Sequence, residues 1–105
     1  MLELGMDEIT VVCEQHPNGE MDITFTPVSE NAAECLNVAM DLKGMKSVEG
    51  MVNWLIMTAA EEVNEKYPDS LEGKGRGASN EQIEMFASSA IVNRVNEILS
   101  DVKEQ

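Results

Sequence analysis

Two short runs rich in β-branched residues, separated by a proline-asparagine-glycine turn, constrain the fold of this chain more than any other feature. The runs are Ile9 to Gln15 and Met21 to Val28, and the turn is Pro17-Asn18-Gly19. Val, Ile and Thr favour strands, whereas Pro, Asn and Gly suit successive positions of a tight turn. We therefore predict a β-hairpin with a three-residue loop and a bulge at Gly19.

The length of this loop sets which residues of the two strands face each other. One face of the hairpin carries the pairs His16–Glu20, Glu14–Asp22, Val12–Thr24 and Thr10–Thr26. The other face carries Gln15–Met21, Cys13–Ile23 and Val11–Phe25. Side chains alternate between the two faces of a strand, so we expect the apolar set to face the core and the acidic set to face water.

Three amphipathic segments follow the hairpin, each with its own start or stop signals. Ser29 and Gly44 bound the first helix, Ser47 and Tyr67-Pro68 bound the second, and Ser79 opens the third, with Gln82 placed to complete its cap. Serine caps helix N-termini, whereas glycine and proline end helices. Between the second and third helices, we expect the glycine-containing stretch Leu71 to Ala78 to form a surface loop.

The 3–4 spacing of apolar residues predicts a buried face on each helix. These faces are Ala32, Cys35, Leu36, Ala39 and Leu42; then Met51, Trp54, Leu55, Ala59 and Val63; then Ile83, Phe86, Ala87, Ala90, Ile91, Val95, Ile98 and Val102. The second helix is apolar on most sides, so we expect it to be the central element. A lone hairpin is marginal in water, so helices one and two should cover its inner face. The prediction is one α+β domain over residues 1–105, in the order β-β-α-α-α.

The charges of the chain are distributed unevenly. Residues 1–42 carry nine carboxylates and no basic side chain, and all seven Lys and Arg residues lie at position 43 or later. The net charge of −13 therefore divides into −9 and −4. A block of one sign predicts a surface that attracts cations. We expect a basic protein partner, including one that itself binds nucleic acid, and no direct binding to nucleic acid or membranes, whose phosphates repel this chain.

Six carboxylates make up the predicted partner-binding face: Glu14, Glu20, Asp22, Glu30, Glu34 and Asp41. Glu30, Glu34 and Asp41 recur at helical spacing and form one stripe about 16 Å long. A row of carboxylates on this scale can occupy a groove that binds phosphates. The leading hypothesis is a non-enzymatic protein that docks on a cationic protein surface as a nucleic-acid mimic and blocks access of nucleic acid or another anion. The alternative is a solvated face that keeps the protein soluble.

Two further hypotheses concern the kind of protein. The small size and acidity are similar to those of anti-defence inhibitors of phages and mobile elements, which makes an inhibitor of a host defence system one form of the leading hypothesis. The alternative is an acidic chaperone or antitoxin-like protein that binds through an apolar face of helix three and through methionines such as Met40, Met51, Met57 and Met85. Those methionines could instead fill the core.

A homodimer formed through a sheet edge or helix three is also an alternative.

Asp69-Ser70-Leu71 resembles the short motif around the phosphopantetheine serine of acyl carrier proteins. The resemblance implies a small carrier protein modified at Ser70. In that family the serine opens a recognition helix within an all-helical fold, whereas here glycines follow the serine and a hairpin begins the chain. A turn after Pro68 is the alternative interpretation.

The sequence carries no pattern typical of a catalytic, metal or cofactor site. His16 is the only histidine and has no neighbouring nucleophile, and together with Cys13 and Cys35 it does not make a zinc site. The stretch Gly73-Lys74-Gly75-Arg76-Gly77 lacks the spacing of a phosphate-binding loop. We predict no enzyme activity, no cofactor and no metal. Without a membrane-length apolar run or a signal-peptide pattern, the chain is expected to be cytoplasmic, with reduced cysteines.

Overall fold

The computed structural model describes residues 2–16, 21–66 and 80–103. Within these ranges the chain forms strands β1 (Ile9–Gln15) and β2 (Met21–Pro27) and helices α1 (Glu30–Lys43), α2 (Val48–Lys66) and α3 (Asn80–Lys103). A short 3-10 turn, Met6–Glu8, precedes β1. The predicted α+β class and the order β-β-α-α-α are confirmed.

Some predicted features lie outside the described residues and stay predictions. They are the turn Pro17-Asn18-Gly19 with its bulge, Glu20, the break at Tyr67-Pro68, Ser70, the stretch 71–78 and the cap at Ser79.

The two strands pair antiparallel in the predicted register. Val11 lies opposite Phe25, Cys13 opposite Ile23, and Glu14 opposite Asp22. Val11, Cys13, Ile23 and Phe25 are buried, whereas the residues between them in each strand are exposed. The alternation of apolar and polar residues therefore predicts correctly which face of the hairpin is buried.

Helix α1 begins and ends where its capping residues predict. The Ser29 hydroxyl accepts a hydrogen bond from the Ala32 N–H at 3.0 Å, which satisfies one of the unpaired donors of the first turn. Gly44 has a φ of +73°, in the left-handed region that favours glycine, and its N–H donates to the carbonyls of Asp41 and Met40. Local capping chemistry thus sets both ends of this helix.

The buried face of α1 comprises Ala32, Cys35, Leu36 and Ala39. The prediction that Leu42 belongs to this face is wrong, because its side chain is 47% exposed. At 100° per residue, Leu42 lies about 70° from the centre of the buried stripe. It is also in the last turn, where the chain leaves the helix, so no neighbouring element covers it fully.

Helix α3 is the central element, and the prediction that α2 has this place is wrong. Helix α3 packs against β1, α1 and α2. On α2, Met57 is 65% exposed and lies opposite the buried residues Leu55 and Ala59, so that side of the helix is in water. The buried side chains of α3 include two that the predicted stripe omits, Val92 and Leu99.

The inner face of the hairpin lies on α3 and α2, rather than on the predicted α1 and α2. Strand β1 packs against α3 and β2 against α2, while α1 contacts α2 and α3. Val11 lines a groove with Met85 near the start of α3, whereas Lys43 of α1 lines one with Asp101 near its end. With 24 residues, α3 is about 36 Å long, enough to hold the hairpin on one half and α1 on the other.

The segment before β1 is held against α3 by a side-chain amide. The Leu4 N–H donates to Asn96 Oδ1 at 2.9 Å, and Asn96 Nδ2 donates to the Leu4 carbonyl at 3.0 Å. Leu4 is 1% exposed and belongs to the same core as the hairpin and the helices. The primary amide of Asn96 therefore satisfies both backbone groups of a buried residue, as a neighbouring strand would.

Candidate functional site

The outer face of the hairpin brings two of the predicted carboxylates together. Glu14 and Asp22 are direct cross-strand partners, and both are exposed. His16 Nε2 lies 2.5 Å from Asp22 Oδ2. The sequence predicts Glu20 as the partner of His16, but Glu20 lies outside the described residues. A protonated His16 would offset one of the two like charges that face each other here.

Helix α1 presents the other three described carboxylates of the predicted face. Glu30, Glu34 and Asp41 are all exposed. At 100° per residue, their directions fall within about 40° of one another and lie roughly opposite the buried stripe of the helix. They therefore form a solvent-facing row about 16 Å long, at 1.5 Å per residue.

The acidic residues of the N-terminal part have few cationic neighbours. In residues 2–16, 21–66 and 80–103, the ion pairs are His16–Asp22 and two longer ones from Arg94, to Glu62 at 3.9 Å and to Glu97 at 3.6 Å. Lys43 lies over the Trp54 ring, 5.0 Å from its centroid, and lines a groove of about 720 Å³ with Arg94. Within this part of the chain, no Lys or Arg pairs with Glu14, Glu30, Glu34 or Asp41.

The predicted face is therefore divided between two elements. Glu14 and Asp22 lie on the hairpin, and Glu30, Glu34 and Asp41 lie on α1. Both the hairpin and α1 pack against the α2–α3 pair. The acids of each element are on the side opposite its buried residues, so both groups point away from that pair.

Glu8 precedes β1 at a position where alternation with Thr10 and Val12 predicts the acidic outer face, but its carboxylate takes part in an intramolecular hydrogen-bond network. Its carboxylate accepts hydrogen bonds from the Gly5 N–H at 2.8 Å, from the Ser29 hydroxyl at 3.0 Å, and from Asn31 Nδ2 at 2.9 and 3.0 Å. The Gly5 backbone bond, followed by those from Asn31 and Ser29, lowers the pKa of Glu8. Glu8 thus ties the 3-10 turn to the start of α1 and is not part of the docking face.

Replacing Glu8 by Gln is expected to destabilise the fold at neutral pH. The Gln amide group would point an N–H₂ at backbone and side-chain donors that now bond to a carboxylate oxygen. A lowered pKa means that the carboxylate stabilises the folded state above the ordinary carboxyl pKa of 4.5, and that this contribution is lost as the pH falls through the lowered value. Urea denaturation should therefore show a difference between wild type and Glu8→Gln at pH 7 that shrinks below pH 4.5.

Glu3→Gln is the matched control for this experiment. The Glu3 side chain is exposed, and no described residue hydrogen-bonds to its carboxylate; only its backbone carbonyl accepts a bond, from Asn31. The control should unfold at the same urea concentration as wild type at pH 7. A Glu8→Gln protein as stable as wild type at pH 7 would contradict the structural role of Glu8.

Both cysteines are buried, free thiols. Burial, with a smaller contribution from the Glu84 carboxylate, raises the pKa of Cys13 to about 11. Burial also raises the pKa of Cys35, with Glu8 and Glu34 adding to the effect. Reaction or metal binding requires the thiolate, which these surroundings disfavour. In the part of the chain that the structure describes, no group of three or more His, Cys, Asp or Glu residues is placed to hold a metal ion.

The four methionines considered as a binding surface divide into two kinds. Met51 is fully buried and Met40 partly buried, so both contribute to the core. Met57 on α2 and Met85 on α3 are 65% and 66% exposed. Only the latter two are accessible to a partner.

Comparison with known proteins finds no matching family model, no matching curated protein and no matching solved structure. Among the described helices, none has the length and apolar character needed to cross a bilayer.

Proposed function

We propose that this protein is a non-enzymatic interaction protein that docks through its acidic face on a cationic surface of another protein and blocks access of nucleic acid or another anion. The main support is the row formed by Glu30, Glu34 and Asp41, which is exposed and has no Lys or Arg partner in the described residues. On the outer face of the hairpin, Glu14 adds a carboxylate without a Lys or Arg partner in the described residues, beside Asp22, which pairs with His16. An inhibitor of a host defence system, carried by a phage or mobile element, is one form of this proposal.

The physical basis of the proposal is the negative charge of carboxylates in residues 1–42 that no Lys or Arg of the described residues neutralises. A carboxylate already paired with a cation contributes little to the field outside the protein, whereas exposed unpaired carboxylates attract a basic partner over about a Debye length. Such attraction mainly speeds association and selects the partner, with a smaller effect on the final affinity. Binding by this mode should therefore be fast and sensitive to salt.

Reversing three of these charges should weaken partner binding. The experiment first captures the partner from an extract of the native cells on immobilised wild-type protein, with retention at low salt and release at high salt. The association rate of the purified partner is then measured with wild type and with Glu30→Lys/Glu34→Lys/Asp41→Lys. We expect the triple variant to associate more slowly by roughly tenfold or more at low salt. Wild type, but not the variant, should displace labelled nucleic acid from the partner.

The matched control reverses three charges on a different helix. Glu49, Glu61 and Glu65 are exposed residues of α2, and changing them to Lys alters the net charge by the same amount. If charge position matters, this control should associate at a rate closer to that of wild type. Equal slowing by both triple variants would mean that net charge alone drives association, and unchanged binding by the α1 variant would remove the proposal.

A second candidate is supported by the exposed methionines. An antitoxin-like or chaperone-like protein would bind its client through an apolar helix face, with the charge serving solubility. Met85 on α3 and Met57 on α2 are exposed apolar side chains that such a face would use. This mode predicts partner binding that barely changes with salt, so the salt series above separates the two candidates.

A further inference from the structure

Along its outer edge, β1 has backbone N–H and C=O groups that are not hydrogen-bonded to β2. The Val28 N–H donates to the Glu8 carbonyl at 2.8 Å, so Glu8 and Val28 form a hydrogen-bonded pair. Such pairs alternate with non-hydrogen-bonded pairs along an antiparallel ladder, so in β1 they recur at every second residue after Glu8. Val11 and Cys13 then occupy the pairs between them, where N–H and C=O point away from the partner strand. No described residue hydrogen-bonds to these outward groups of Val11 and Cys13.

The outer edge of β2 is less suited to receiving another strand. Pro27 lies opposite Ile9, in one of the pairs that do not exchange hydrogen bonds. Its ring nitrogen therefore lies on the outer edge of β2, where it has no N–H to donate. Proline at such a position is a common way to block the addition of a further strand. No proline lies in β1, so its outer edge is the more open of the two.

A groove of about 310 Å³ lies beside the open edge, between β1 and the first half of α3. Met6, Ile9 and Val11 line one side, and Glu81, Glu84 and Met85 line the other. Met6 and Met85 are 44% and 66% exposed, so the groove presents apolar surface to the solvent. Its charged lining residues are both acidic, and no Lys or Arg lines it.

We infer that this groove, the β1-edge groove, is a docking site for an extended cationic segment of another protein, which adds to β1 as a third strand. The backbone of the added strand would pair with Val11 and Cys13. Its inward apolar side chains would contact Met6 and Met85, and its Lys or Arg side chains would face Glu81 and Glu84. The inference concerns a surface different from the acidic docking face and does not depend on it.

The acidic lining favours a cationic peptide over a second copy of this chain. Two copies, each with a net charge of −13, would bring two grooves lined by Glu81 and Glu84 close together, and their like charges would repel each other. A basic strand meets the same groove with opposite charge.

The test uses a defined probe, a seven-residue peptide of alternating lysine and valine with blocked ends. Titration into the isotope-labelled full-length protein, followed by NMR, should shift the amide signals of Val11 and Cys13. A second peptide has the same side chains and charge but carries N-methyl groups in place of the N–H groups along one edge. We expect this peptide to bind at least tenfold more weakly, because it cannot pair with β1.

Two methionine variants provide a matched comparison. Met85→Lys should weaken binding of the alternating peptide by about tenfold or more. The substitution removes an apolar contact and adds to the groove a positive charge that repels the lysines of the peptide. Met57→Lys changes an equally exposed methionine on α2, outside the groove, and should leave the affinity within about twofold. The triple variant of Glu30, Glu34 and Asp41 should still bind the peptide. A failure of the acidic-face proposal can therefore be distinguished from a failure of the groove proposal.

Three results would overturn the inference. Equal binding of the N-methylated peptide would mean that charge alone attracts it. A dimer mass together with concentration-dependent shifts of Val11 and Cys13 would assign the edge to a second copy. Slow hydrogen exchange of the same two amides in the monomer without peptide would mean that the chain itself covers the edge.

Discussion

Leu36→Ala is expected to lower the free energy of unfolding by about 2–5 kcal/mol, the usual cost of removing a fully buried leucine side chain. Leu36 is 0% exposed, in the middle of α1, and belongs to the continuous core shared by the hairpin and the three helices. The substitution removes apolar contacts and leaves a cavity where the side chain was. Equilibrium denaturation with urea, at constant pH, measures the change.

Leu42→Ala is the matched control, since it makes the same substitution on the same helix. The Leu42 side chain is 47% exposed, so its loss should cost less than about 1 kcal/mol. This comparison also tests the proposed function, because the orientation of α1 determines where Glu30, Glu34 and Asp41 point. A larger cost at Leu42 than at Leu36 would mean that the helix is rotated and that the acidic row does not face the solvent.

Asn96→Ala is expected to lower the free energy of unfolding by about 1–3 kcal/mol. The substitution removes two hydrogen bonds and leaves the N–H and C=O of Leu4 without their partner. Leu4 is buried, so water cannot easily replace the lost amide without displacing the segment. Hydrogen exchange of the Leu4 amide should become faster, alongside a lower midpoint in urea.

Asn93→Ala is the control for this prediction. Asn93 lies one turn earlier on α3, is exposed, and makes only a long contact of 3.5 Å with Ser89. Its replacement should change stability by less than about 0.5 kcal/mol. If Asn96→Ala were equally harmless and left exchange at Leu4 unchanged, the attachment of the N-terminal segment to α3 would be wrong.

The hairpin shows what the local sequence pattern can predict. The alternation of Val11, Cys13 and their neighbours predicts the buried face, and the structure has the same pairs opposite each other. A shift of one residue would expose every buried side chain of a strand, so a strand with one apolar face specifies its register strongly. The ends of α1 are similar, because Ser29 and Gly44 act within a single turn of the helix.

The packing of the helices did not follow from the same patterns. The apolar middle of α2 indicates a central helix, yet α3 has that place and Met57 faces the solvent. A periodic stripe shows which side of a helix is buried but not which element buries it. Leu42 illustrates the limit, since it continues the stripe of α1 by sequence but lies beyond the elements that cover it.

The roles of Glu8 and Asn96 depend on contacts between distant parts of the chain. Glu8 binds Ser29 and Asn31, 21 and 23 residues away, and Asn96 binds Leu4 across 92 residues. Nothing in the neighbouring residues distinguishes Glu8 from the exposed acids or Asn96 from Asn93. Such pairs arise only when the elements that carry them have packed together.

The sequence by itself determined the elements of this protein, the register of its hairpin and the separation of its charges, because these depend on residues a few positions apart or on simple composition. The tertiary structure decided which acids remain available, since it assigns Glu8 to an internal network and leaves Glu30, Glu34 and Asp41 in water. It also placed Met85 beside the open edge of β1, a proximity that requires α3 to pack under the hairpin. The physical reason is that side-chain periodicity and capping act locally, whereas burial and hydrogen bonding between elements depend on how the whole chain packs.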